Sequence, residues 1–92
     1  ELERAEARYN ELRKEVSANE LELKTLDARR KSAAQSALEA ATSKEASQYQ
    51  NQEMQFAGRY QELEEDTMPM LERLEGFEDE VNRLRGDIED LE

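Results

Sequence analysis

From Phe56 to Leu91 the apolar side chains recur at alternating spacings of four and three without an error. With Tyr60, Thr67, Leu74, Val81 and Ile88 at heptad position a, position d holds Phe56, Leu63, Met70, Phe77, Leu84 and Leu91. Thr67 is the one of these eleven that is not apolar. A repeat of 3.5 residues held over five heptads gives a helix a single apolar seam that needs a partner along its length. That confines the chain to coiled coils and helical bundles.

Pro69 and three glycines test this reading, because proline inside a helix costs about 3 kcal/mol and glycine about 1 relative to alanine. On the same wheel Gly58 and Gly86 fall at f, and Pro69 and Gly76 at c, all away from the seam. Leu63, Thr67, Met70 and Leu74 keep step across the proline, which a loop would not enforce. The register therefore predicts a bent helix that runs through Pro69, with the lost hydrogen bond to the Glu65 carbonyl on the wet face. A new helix capped at Asp66-Thr67, with Pro69 in its first turn, is the competing reading.

Flanking charges select the partner. In a parallel dimer each g residue faces the following e residue of the other chain. Arg59 then meets Glu64, Arg73 meets Glu78 and Glu80 meets Arg85; Asp66–Leu71 is neutral and Asp87–Glu92 repulsive. With Val and Ile at a and Leu at d, this pattern predicts a parallel homodimer through residues 56–92, its seam formed by Tyr60, Leu63, Met70, Leu74, Phe77, Val81, Leu84, Ile88 and Leu91.

A second stripe runs through residues 1–29, with Leu2, Tyr9, Val16 and Leu23 at a and Ala5, Leu12, Asn19 and Leu26 at d. Its parallel flanks are all repulsive: Arg8–Arg13, Glu15–Glu20 and Glu22–Asp27. Two outcomes fit these flanks: the stripe is zipped passively against its copy by residues 56–92, or it takes a different helix. Between the stripes, over residues 30–55, the register slips by two. Extension of the first frame places Arg30, Ala37, Lys44 and Asn51 at a, whereas an 11-residue spacing links Leu38, Tyr49 and Tyr60, and Ala34, Glu45 and Phe56. The stretch lacks Gly and Pro, and its alanines favour helix. Thr42–Glu45 reads as a capping box, but so do Ser17–Glu20 and Ser36–Glu39.

Composition narrows function by exclusion. The 92 residues carry 24 acids against 13 bases, a net charge of −11, and no Cys or His. Residues 47–92 hold 14 acids and 4 bases, the reverse of what phosphate neutralisation requires. Without His or Cys the common metal sites and most nucleophile–base pairs are missing, so no catalysis, cofactor or small-molecule ligand is expected. No apolar run suits a membrane span. The Arg29-Arg30-Lys31 triplet is the candidate dock for an acidic partner surface. Glu1 in place of an initiator Met is expected of a segment cut from a longer protein.

The expectation is an all-α chain: one long bent helix forming a parallel two-stranded coiled coil, with an antiparallel helical hairpin turning near residues 42–52, or a bundle of such hairpins, as the alternative. Its expected role is structural, homodimerising and spacing parts of a larger scaffold; the alternative is a helical module whose N-terminal half docks another protein. The heptad pattern resembles rod segments of cytoskeletal, centrosomal or kinetochore proteins, which implies a cytoplasmic or nuclear, cytoskeleton-associated setting.

Overall fold

The computed structural model describes residues 1–91, Leu91 by its backbone alone. The fold is all-helical, with α1 spanning Leu2–Glu39 and α2 spanning Ser43–Leu91. The single continuous helix expected from the sequence is thus interrupted once, at residues 40–42. The first N–H groups of a helix lack partners within it, and Thr42 caps α2 by serving one of them and accepting the first helical bond. Its Oγ1 accepts from the Glu45 N–H at 3.1 Å, and its carbonyl accepts from the Ala46 N–H at 3.0 Å. Of the three capping-box matches, this one lies at a helix start. The break also accounts for the slipped register: the two stripes belong to two helices, and neither has to continue into the other.

Within α2 the helix runs through Pro69, as the unbroken seam predicts. Pro69 is exposed, so water can serve the carbonyl that its missing N–H leaves without a helical partner. All three glycines lie inside α2, and a Cβ added to any of them meets nothing within 4 Å. Gly76→Ala is therefore expected to raise stability by about 1 kcal/mol through lower unfolded-state entropy and better helix propensity, read as a higher urea midpoint at constant slope.

The chain divides into two compact units. The first combines Glu1–Ala18 with Asp66–Glu92, and the second is Asn19–Glu65. In the first, Arg8 pairs with Glu80 and Glu6 with Arg85, so α1 and α2 run antiparallel. In the second, the helices reverse around residues 40–42, and Ala33 and Ser36 of α1 share a cleft with Gln52 and Phe56 of α2. Each unit is an antiparallel helix pair.

The heptad stripes are the faces that pack. On α1 every a and d position from Leu2 to Ala37 is buried or half-buried. On α2 the same holds from Ala46 to Leu84, including half-buried Glu53. The buried apolar side chains Ala5, Leu12, Val16, Leu26, Ala33 and Val81 all lie on these stripes, and Thr67 is buried among them at 3% exposure. Leu38, grouped with Tyr49 and Tyr60 by the 11-residue spacing, is instead 83% exposed. With α1 ended at Glu39 and a new frame begun in α2, no 11-residue period spans the break.

Candidate interaction surfaces

In the first unit, ion pairs flank the seam on both sides. Leu2 at a places Glu6 at e and Arg8 at g; Leu74 at a places Glu80 at g and Arg85 at e. The Arg8 Nη2 donates to Glu80 Oε1 at 3.1 Å, joining g to g. Arg85 donates from Nε and Nη2 to the same Glu6 oxygen, at 3.3 and 2.9 Å, joining e to e. Like-lettered flanking pairs are the geometry of antiparallel helices, as g-to-e pairs are of parallel ones. Side chains here remain 33–58% exposed, so each pair adds only a few tenths of a kcal/mol. They distinguish orientation more than they stabilise.

Of the six residues expected to pair between parallel chains, Glu80 and Arg85 are held by α1 in this way. Arg59, Glu64, Arg73 and Glu78 are exposed. The Arg73 guanidinium lies 5.8 Å from the centre of the Phe77 ring, a cation–π contact along one helix. The expected seam residues Tyr60, Leu63, Met70, Leu74, Phe77 and Leu84 are half-buried, Val81 is buried, and Ile88 is 45% exposed; the side chain of Leu91 lies outside the described structure.

The basic triplet is only partly available. Asp27 stands one helical turn before it, where i,i+3 and i,i+4 side chains meet. Asp27 Oδ1 accepts from Arg30 Nη2 at 2.8 Å, and Oδ2 lies 3.0 Å from Lys31 Nζ. Arg30 occupies an a position and is half-buried, while Arg29 is exposed beside the cleft of Ser32, Ser36 and Tyr49. Hydrogen bonds from Arg30 and then Lys31 hold the Asp27 carboxyl below its ordinary pKa of 3.8. Asp27 in turn raises the pKa of Arg30, with smaller contributions from Glu53 and Tyr60.

A carboxyl whose folded pKa is depressed contributes stability above the unfolded pKa and loses it as pH falls through the folded value. The stability difference between wild type and Asp27→Asn is expected to be constant above about pH 5 and to shrink progressively below pH 3.8, read from urea midpoints across pH. A difference that does not change with pH contradicts the triad.

The clefts between the helices are open troughs. One of ≈ 340 Å³ in the first unit is lined by Tyr9, Asn10, Arg13, Glu78 and Val81, among others. Among the described residues no group of three or more His, Cys, Asp or Glu is placed to hold a metal, and no helix is long and apolar enough to cross a membrane. Sequence reasoning missed the Arg8–Glu80 and Glu6–Arg85 pairs, whose signal is charge complementarity between like heptad letters of the two stripes.

No protein-family model, curated protein or solved structure matches this chain.

Proposed function

We propose that the chain is a structural coiled-coil segment that brings copies of a larger scaffold protein together and sets their spacing, with an antiparallel helix pair as its working form. The antiparallel form is supported by the pair of like-lettered ion bridges that flank the apolar seam within one chain, Arg8–Glu80 and Glu6–Arg85; the meeting of copies is supported by the unbroken heptad spacing from Phe56 to Leu91, which suits a partner helix. Apolar stripe and charged flanks form one surface pattern whose chemistry is helix-to-helix recognition.

A second reading uses the same stripe differently. Two chains pair in parallel through Tyr60 to Leu91, favoured by the unbroken heptad spacing and the three attractive g-to-e pairs. The two forms are exclusive, because one stripe cannot face both α1 and another α2. In either form the basic triplet offers Arg29, the exposed member without a place in the Asp27 cluster, to an acidic partner surface.

Nitroxide labels at the exposed positions Arg4 and Arg83 separate the forms. Paired within a chain they lie within about 30 Å, whereas one straight helix puts them near 120 Å apart at about 1.5 Å per residue. Molar mass by light scattering at high micromolar concentration tests the self-association. A mass of one chain overturns that part of the proposal.

A further inference from the structure

The seam positions of the first unit carry no charge, whereas the second unit carries one on each helix. Between Asn19 and Glu65, Arg30 is the charged residue among the a and d positions of α1, and Glu53 among those of α2. Both side chains are half-buried. The cleft that joins Ala33 and Ser36 of α1 to Gln52 and Phe56 of α2 lies within one turn of each, so cation and carboxylate share one stretch of the interface. Glu53 and Tyr60 act on the Arg30 guanidinium from across that interface, each favouring its charged form. Asp27 faces two cations of its own helix, Arg30 and Lys31, and does not cancel both.

The exposed flanks of this unit do not select α1 as the partner of α2. Like letters of the two helices hold like charges there, Arg29 and Arg59 at g and Asp27 and Glu64 at e. Exposed pairs are weak in any case. In the seam a charge is costly unless it is paired, so the choice of neighbour matters most there. An antiparallel α1–α2 pair sets Arg30 and Glu53, of opposite sign, in the same seam. Two α2 helices in parallel set Glu53 at position a against the same carboxylate of the copy, and two α1 helices set Arg30 against Arg30.

We propose that Arg30 and Glu53 decide which helix α2 accepts: they admit the α1 of their own chain and turn away a second α2. This rests on the antiparallel form proposed above and names the residues that select it. The apolar heptads from Tyr60 to Leu91 fit either neighbour. The discrimination they lack is supplied two turns earlier, at Glu53. A charge placed on a seam sacrifices apolar burial and raises the free energy of the wrong pairing, which is how helices reject competing partners.

The test traps parallel α2–α2 pairing in the full chain. The sequence has no cysteine, so Leu63→Cys at position d supplies a single reporter. Two such cysteines join under mild oxidation when their Cα atoms come within about 4.4–6.8 Å, as side-by-side parallel helices allow. The rate of cross-linking between copies then follows the population of the parallel form. Added to the reporter chain, Glu53→Leu takes an attraction from the hairpin and a repulsion from the parallel pair, and is expected to speed cross-linking at least about tenfold. Glu53→Gln, which removes the charge at nearly constant shape, is expected to act in the same direction. Gln55→Leu, at an exposed c position, is expected to leave the rate unchanged, with circular dichroism confirming helicity in every chain. An unchanged rate for Glu53→Leu overturns the selection by charge, as does an equal rise for Gln55→Leu. A rise with leucine but none with glutamine assigns the choice to apolar area and overturns it too. A reporter chain that cross-links rapidly with Glu53 in place overturns the antiparallel form itself.

Discussion

Leu12→Ala is expected to lower the unfolding free energy by about 2–4 kcal/mol, with the urea midpoint falling and its slope unchanged. Leu12 is 6% exposed on the α1 stripe of the first unit, beside Phe77 of α2. Truncation removes buried methyl groups and leaves a void that a two-helix layer can only partly close. Small domains hold about 5–15 kcal/mol in total, so this one change removes a large share of what this chain has. Leu38→Ala is the control, the same chemistry at 83% exposure. At low protein concentration its effect should stay within about 0.5 kcal/mol. A Leu12→Ala cost no larger than that of Leu38→Ala would contradict the packing of α1 on α2.

Pro69→Ala is expected to move stability the other way, by about 1–3 kcal/mol upward. Pro69 lies inside α2, exposed at position c, with no part in the seam. Alanine restores an N–H to the helical ladder, removes the clash of the ring with the preceding turn and improves propensity. For a chain of this size the melting temperature should rise by roughly 5–20 °C. Were the proline instead the first-turn residue of a separate helix, alanine would gain little there, because the N–H at that position has no helical partner to restore. An unchanged or lower melting temperature would favour that arrangement.

The stripes were legible in the sequence because burial of one side chain in every 3.5 is a strong and redundant signal. Leu12, Val16, Leu26 and Val81 all stand at positions the spacing assigns to packing. The partner of each stripe was not legible in the same way. An apolar seam states that a face must be covered; it does not state by what. Charge flanks carry that information weakly, since exposed pairs contribute only tenths of a kcal/mol and two patterns fit the same residues. Glu80 and Arg85 satisfy a parallel neighbour on paper and α1 of their own chain in the structure.

The reversal at residues 40–42 was harder still to read. No described non-glycine residue has a positive φ, so Ala40, Ala41 and Thr42 turn the chain with ordinary conformations and without Gly or Pro. The remaining local sign was the Thr42–Glu45 cap, hidden among two look-alikes that sit inside α1. Asp27 shows the complementary case: its i+3 and i+4 spacing to Arg30 and Lys31 is visible in sequence, yet the triplet alone read as free positive charge.

The three-residue turn also dictates an order of events when the chain folds. Residues just before and after Thr42 meet by closing a very short loop, a step that costs little entropy and takes well under a microsecond. Arg8 and Glu80 are 72 positions apart, and Glu6 and Arg85 79, so their meeting follows once the intervening turns have zipped. Nucleation belongs to the bend, and fraying to the distant ends.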